Sequence, residues 1–319
     1  MTNISFEGRT VIVTGAGGGL GRSYALDIAK RGGCVVVNDL GGTVEGASSS
    51  NAMADQAIEE IRAAGGRAIA NYNSVATAQG AKNIVDAALQ AFGRVDALIN
   101  NAGNMRTAAL EESREEDLQS LLGVHLLGSY HMTKAVWPHM KRQGYGRVIF
   151  TASSAGMFGN HKQGCYGAAK AGVFGLMNGF AVEGEALGIL CNAVMPNAFS
   201  RMTDKAQEDM DAEVLQRAAA MLSSVQDAMR PEFTAGLVSY LASEHCTSTH
   251  SIYSSCLGRI ARVFVGVTAG WQGARELPAS AEDIAAHIDQ IRDLERGVHV
   301  PRSPADEFRI VMSQADTSD

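Results

Sequence analysis

The chain has 319 residues, 46% of them hydrophobic and 19% charged, with a net charge of −7. That balance excludes a disordered chain, and the negative sign argues against nucleic acid or an anionic membrane as the main partner. The five cysteines (Cys34, Cys165, Cys191, Cys246 and Cys256) form no Cys-x-x-Cys pair and sit mostly in apolar runs. They point to neither a metal site nor a disulfide framework, so a reducing cytoplasm is the expected compartment. No signal peptide or membrane span is visible, and the ending Thr317-Ser318-Asp319 carries no peroxisomal address.

In chain order, Arg9 to Val13 is a short β-rich apolar run that leads into Thr14-Gly15-Ala16-Gly17-Gly18-Gly19-Leu20-Gly21. A helical pattern through Tyr24, Leu26, Ile28 and Ala29 follows at once and closes at Gly32-Gly33. Strand, glycine-rich turn and helix together form the context in which such a turn cradles phosphate. Glycines let the backbone approach a pyrophosphate, and the helix start supplies free N–H groups and the positive dipole end. The candidate phosphate residues are Gly15, Gly18, Gly19, Leu20 and Gly21. The next strand, Cys34 to Asn38, ends in Asp39. A carboxylate there accepts hydrogen bonds from an adenosine ribose and repels a 2′-phosphate, which favours NAD over NADP.

Helical patterns then run over Ser50–Ala64, Thr77–Phe92, Glu115–Lys141 and Gln163–Leu187, and strands over Arg67–Tyr72, Val95–Asn100, Arg147–Thr151, Ile189–Met195 and Arg262–Val267. Alternating strands and helices predict an α/β fold, a Rossmann-type doubly wound parallel sheet. The polar, methionine-rich stretch from Phe199 to Met229 is expected to form a helical substrate lid at a strand end. Residues 1–270 read as a single domain. Residues 271–319 read as a C-terminal extension with one amphipathic helix, Ala281–Leu294.

Tyr166 and Lys170 lie one helical turn apart on one face, and Ser153 stands just past the strand Arg147–Thr151. A phenol titrates near pH ~10, so a neighbouring ammonium that favours the phenolate brings it toward the working range. Ser153 is placed to hold the same substrate oxygen that Tyr166 protonates. The candidate catalytic set is Ser153, Tyr166 and Lys170.

Thr14 to Gly21, the run Asn100-Asn101-Ala102-Gly103 and the Ser153…Tyr166-x-x-x-Lys170 set resemble the short-chain dehydrogenase/reductase family over about the first 245 residues. Val37 to Gly42, Val124-His125-Leu126, Gly128-Ser129-Tyr130 and Pro196 to Thr203 are similar to one branch of it, the dehydrogenase units of peroxisomal multifunctional β-oxidation enzymes and their bacterial single-domain relatives. The resemblance implies an NAD-dependent oxidoreductase acting on a secondary alcohol or ketone. The substrate it implies is a (3R)-3-hydroxyacyl-CoA or a 17β-hydroxysteroid, with other small ketones and alcohols as the alternative. A non-catalytic, NAD-sensing protein is the more remote reading. The resemblance also places Asp39, Ser74, Val75, Asn101, Ala102 and Gly103 around the adenosine half of NAD, and Pro196 and Thr203 near the nicotinamide. Tyr166 and Lys170 then touch the cofactor as well as the substrate. Asn73 stands where the family has an acidic residue facing adenine, and His125 stands where most members have asparagine. A relay role for that histidine and a purely packed one are both open. The small residues of Gln163–Leu187 point to a homodimer or homotetramer. Arg201, Lys205 and Arg106 are the cations that could meet a CoA phosphate.

Overall fold

The computed structural model describes residues 3–45, 50–199, 213, 216, 225–274 and 276–315. The chain divides into two compact units, Met1–Arg262 and Val263–Asp319. The first holds β1 (Thr10–Thr14), α1 (Gly19–Lys30), β2 (Cys34–Asn38), α2 (Ala52–Ala63), β3 (Arg67–Asn71), α3 (Ala78–Phe92) and β4 (Ala97–Asn100). It continues with α4 (Glu115–Leu121), a π-helical stretch (Leu122–Leu127), α5 (Gly128–Gln143), β5 (Gly146–Thr151), the short α6 (Ser154–Phe158), α7 (Gly164–Glu185) and β6 (Ile189–Asn197). Then come α8 (Glu232–Ala242), β7 (Ser251–Cys256) and β8 (Arg259–Val263), whose last residue is the first of the second unit.

The sheet runs β3-β2-β1-β4-β5-β6-β7-β8, and the pairs from β3 through β7 are parallel. After β1 the chain winds outward to β2 and β3 and then returns to β4 on the other side of β1. Open parallel sheets bind ligands in the crevice above such a reversal. Both faces are covered, so β1, β2 and β4 are buried at every residue, as a parallel sheet requires. Alternate residues, Val11 and Val13 of β1 with Val35 and Val37 of β2, share one core with Tyr24 and Ile28 of α1, Ile58 and Ile61 of α2, and Val238 and Leu241 of α8. α5 and α7 pack against β5, and Trp137 and Phe180 meet there with ring centroids 5.8 Å apart.

The structure departs from the expected elements in three places. The helix expected over Glu115–Lys141 is interrupted by the π-helical stretch, whose wider turn rotates His125 inward to full burial. The strand expected at Arg262–Val267 is instead β8 at Arg259–Val263. It follows β7 through a two-residue turn, Leu257-Gly258, with both φ angles positive (52° and 78°). That is the backbone of a tight hairpin. β7 lacks an apolar pattern because three of its six residues are serines, and they are tolerated because buried Ser255 pairs with Thr234 (3.0 Å). The expected lid over 199–229 lies almost wholly outside the described residues. Its two ends meet where the Phe199 N–H donates to the Met229 carbonyl (2.7 Å).

The second unit, which begins at Val263, contains a two-stranded antiparallel ribbon (Val267–Thr268 with Val298–His299) and helices over Ala281–Arg292 and Pro304–Ala315. A capping box between Ser280 and Asp283 starts the first helix, and the Trp271 and His287 rings stack at 4.2 Å. Among the described residues no helix is long and apolar enough to cross a membrane.

Candidate active site

A groove opens where β1, β2 and β4 end. Ten of the cofactor candidates line it: Gly15, Gly18, Gly19, Leu20, Asp39, Ser74, Val75, Asn101, Ala102 and Gly103. The glycines carve it by close approach. Gly15 has φ +62°, and a Cβ there would stand 2.8 Å from the Ala102 Cα. Gly21 works from behind the surface, since its missing Cβ would fall 2.2 Å from the Gly15 carbonyl oxygen. It lets the turn fold onto the start of α1 and does not itself line the groove. Gly18 caps α1 without a side-chain hydrogen bond, so the first N–H groups of the helix have no capping side chain competing for them. The Asn101 side chain donates to the carbonyls of Thr14 (2.9 Å) and Gly15 (3.0 Å) and ties the turn to the end of β4. Thr14, not among the sequence candidates, receives the N–H groups of Asn101 and Ala102 on its hydroxyl, both at 3.0 Å.

Asp39 holds the groove's second wall. One carboxylate oxygen accepts from the Gly17 N–H (2.8 Å) and the other from the Gly41 N–H (2.7 Å). Asn38 donates to the Asn73 carbonyl (2.9 Å), and Asn73 itself lines the groove where the family has an acid. Val44, Asn104 and Val124 also line it and were not foreseen. Asn104 follows the Asn-Asn-Ala-Gly run directly, which was the one available signal.

The other part of the site forms where β5 ends. Ser153 caps α6 and its Oγ accepts from the Ala155 N–H at 3.2 Å. Two glycines press α6 onto α7. A Cβ on Gly156 would lie 2.8 Å from the Ala171 nitrogen, and one on Gly167 would lie 2.9 Å from the Ala155 carbonyl oxygen. That packing sets the Ser153 hydroxyl beside buried Tyr166, near enough to pull on its titration. Lys170, also buried, donates from Nζ to the Thr151 carbonyl (2.6 Å), and its Nζ stands 5.7 Å from the centre of the Tyr166 ring. The structure thus brings Ser153, Tyr166 and Lys170 to one place.

Their electrostatics differ from the sequence expectation. Burial pushes the Tyr166 phenol up to about 12, and only the neighbouring Ser153 hydroxyl pulls it back. Burial also brings Lys170 down to about 7, which weakens the ammonium that was expected to lower the phenol. The cause is common to both: each group has lost water, and loss of water disfavours whichever form is charged.

His125 belongs to this pocket. Its ring meets the Tyr166 ring edge-on, with centroids 5.4 Å apart at 83°, and Nε2 lies 2.8 Å from the Asn104 carbonyl oxygen. Nδ1 is buried without a partner among the described residues. Burial, reinforced by nearby Lys170, holds the imidazole well below its ordinary pKa, so it is neutral. The ring fits because residue 103 is glycine: a Cβ there would touch its Cε1 at 2.4 Å. Pro196 lies near the end of β6, opposite Ser255. Thr203, Arg201 and Lys205 fall outside the described residues. Arg106 is engaged rather than free, bonded to Asp117 (3.1 Å) and to the carbonyls of Met105 (3.0 Å) and Glu45.

The model of the short chain dehydrogenase family matches residues 9–213. A Mycobacterium tuberculosis protein named as a short-chain type dehydrogenase/reductase is 44% identical over 289 residues, covering 90% of this chain and 95% of that one. The mouse peroxisomal multifunctional enzyme type 2 is 42% identical over 260 residues, 82% of this chain but 33% of the mouse enzyme. The structure of the full-length Drosophila melanogaster enzyme of that name superposes with a TM-score of 0.77 at 30% identity, covering 98% of this chain and 50% of the fly chain. The chain spans only part of these multifunctional relatives. With a parallel sheet reversing at β1, a glycine-floored groove above it and a Ser-Tyr-Lys cluster beside it, the chain belongs to the short-chain dehydrogenase/reductase family of oxidoreductases acting on CH–OH groups.

Proposed function

We propose that this chain is an NAD-dependent dehydrogenase whose substrate is the secondary alcohol of a (3R)-3-hydroxyacyl-CoA, or the matching ketone. The observation that carries the reaction is buried Tyr166 with the Ser153 hydroxyl beside it and Lys170 buried one turn along the same helix. Likeness to the multifunctional peroxisomal enzymes, including histidine at position 125, supports the acyl-CoA. The groove residues fit a dinucleotide. Gly15, Gly18, Gly19 and Leu20 would hold the pyrophosphate, with Gly21 shaping the turn beneath. Ser74, Val75 and Asn101 to Gly103 would border the adenosine, and Pro196 and Thr203 the nicotinamide end. Asp39 would take the ribose hydroxyls, and its charge opposes a 2′-phosphate.

When bound, the nicotinamide supplies or accepts the hydride. Everything else is work for side chains. With its pKa near 12, Tyr166 is protonated at neutral pH and stands ready to donate to a ketone oxygen. In the oxidation direction that proton must leave first, so oxidation speeds up as pH rises. Ser153 has one lone pair committed to the Ala155 N–H and keeps its own proton for the oxygen on which charge develops. Lys170 has hydrogens beyond the one given to Thr151, and these serve the nicotinamide ribose and the proton path.

The test is reduction of NAD with (3R)-3-hydroxyacyl-CoAs, 17β-hydroxysteroids and simple secondary alcohols, with Tyr166→Phe as the blank. Turnover of the hydroxyacyl-CoAs, absent from the blank, is expected. Preference for a steroid would overturn the substrate, and silence across the panel would overturn the dehydrogenase.

The same reading includes a homodimer or homotetramer in the cytoplasm. Gly164, Ala168, Ala171, Gly175 and Gly179 form an exposed seam of small residues at three- and four-residue spacing along α7, and exposed Val182 continues it. A helix interior gives up about 1 kcal/mol for each glycine, and Gly175 and Gly179 meet no neighbour in return within this chain. Close approach of a second α7 would supply one. Light scattering is expected to show an oligomer that Gly175→Glu splits, and a monomeric wild type would overturn the assembly.

A further inference from the structure

The segment after β2 does not run away from the groove but crosses it. Gly41 turns the chain with φ +72°, and its N–H is held by the Asp39 carboxylate at 2.7 Å. Gly42, Thr43 and Val44 then line the groove opposite its glycine floor. At the far end the Val44 carbonyl accepts from the Met105 N–H (3.0 Å), and the Glu45 carbonyl accepts from the Arg106 guanidinium.

Topology gives these bonds their meaning. Residues 41–45 follow β2 and Met105 follows β4, and β1 lies between those two strands. Neighbouring strands are about 4.8 Å apart, so a backbone bond between the two sides reaches across roughly 10 Å of sheet edge. What it spans is the end of β1, where the glycine turn begins. Arg106 locks the crossing. Its Nε bonds Asp117 at the start of α4 (3.1 Å), one terminal nitrogen bonds its own neighbour's carbonyl (3.0 Å), and the other reaches Glu45. With 24% and 16% of the two side chains exposed, the Arg106–Asp117 pair is shielded from much of the water that weakens surface pairs.

We propose that Arg106 is a positioning residue for the cofactor, the latch of a strap (residues 41–45) that closes over a dinucleotide seated on the glycine turn and sets the rate at which it leaves. This rests on the reading of the groove as a dinucleotide site. In such a latch a molecule beneath the strap leaves faster when the Met105–Val44 and Arg106–Glu45 bonds are open. Removing the guanidinium takes away the side-chain tie at Glu45 and leaves the Met105–Val44 backbone bond at that end of the strap.

The experiment is stopped-flow release of NADH from the full chain, followed by its fluorescence, for wild type, Arg106→Gln, Arg106→Lys and Arg114→Gln. Arg114 is the control, because it bonds the same Asp117 (2.9 Å to each oxygen) but no strap residue. Release is expected to quicken about tenfold in Arg106→Gln and at least threefold in Arg106→Lys, with Arg114→Gln at the wild-type rate. The melting temperature without NADH separates this from general loosening: the latch requires faster release even where the two arginine variants melt alike. Should Arg106→Gln not fold, Arg106→Lys decides the matter. Release within threefold of wild type in the folded Arg106 variants, or equal acceleration in Arg114→Gln, would overturn the latch. Failure of wild type to bind NADH at all would instead overturn the groove as a dinucleotide site, and the strap with it.

Discussion

The groove above β1 and the side-chain cluster beyond β5 are made of different material. In the groove a ligand meets glycines, apolar side chains such as Val44, Val75 and Val124, the amides Asn73 and Asn104 and one carboxylate, Asp39, which keeps partial access to water. In the cluster the titratable side chains Tyr166, Lys170 and His125 are all buried. The first region recognises by shape and by dipoles that need no ionisation. The second changes what its groups are, raising a phenol and lowering an ammonium by taking both out of water. Holding a cofactor asks for a fixed surface, whereas moving a proton asks for groups whose affinity for it has been tuned.

If that division is right, the two regions should fail separately. The largest effect belongs to Tyr166→Phe, which removes the proton and little else. Turnover is expected to fall by about 10²–10⁴-fold while NADH affinity stays within about threefold. Steady-state kinetics and a fluorescence titration check this, and a comparable loss of both would merge the regions. The converse is Gly21→Ala. Its Cβ would sit 2.2 Å from the Gly15 carbonyl, so the turn must deform and NADH binding is expected to weaken about a hundredfold or more. Affinity near that of wild type would show that the floor is softer than its packing implies.

Asp39→Ala sharpens the picture of the groove. It removes a charge that opposes a 2′-phosphate and also the acceptor for the Gly17 and Gly41 N–H groups. The ratio of kcat/KM for NAD over NADP is expected to drop at least ~tenfold, largely through weaker NAD binding together with some gain for NADP. An unchanged ratio would move cofactor choice elsewhere.

The smallest effect tests the pocket through stability. Lys170 has a folded pKa of about 7 against an ordinary 10.5, so between those values the unfolded chain holds a proton that the folded protein has released. Stability contributed by this group therefore rises with pH across that window. Tyr166 acts in the opposite sense, but only above its ordinary value of 10, where the folded protein keeps the proton longer. The unfolding midpoint is thus expected to rise from pH 7 to about 9.5 more steeply in wild type than in Lys170→Met. Parallel profiles would show that Lys170 is not desolvated.

Much of this was legible in the chain. The glycine turn, Asp39, the Asn-Asn-Ala-Gly run and the Ser153, Tyr166 and Lys170 spacing are local patterns. Strand, turn and helix period place such patterns without knowledge of distant neighbours, because a turn that needs glycine and a helix face that repeats every three to four residues are properties of short segments. The wound sheet followed from the alternation of elements for the same reason. β7 was missed because its serines are made tolerable by Thr234 on another element, and no pattern within the strand records that partner.

What only the tertiary structure decided was burial and what faces what. Lys170 beside Tyr166 in sequence reads as a cation lowering a phenol, but packing of α6 on α7 removes the water on which that reading depends. His125 reads as a substitution in a helix, and becomes a neutral ring against Tyr166 only through the π-helical turn and the space left at Gly103. Arg106 reads as a free cation and proves to hold residues 41–45 across the end of β1. Sequence carries the conformations that neighbours along the chain impose. Charge states and cross-strand contacts depend on groups brought near only by folding, so they were settled only when the chain had closed on itself.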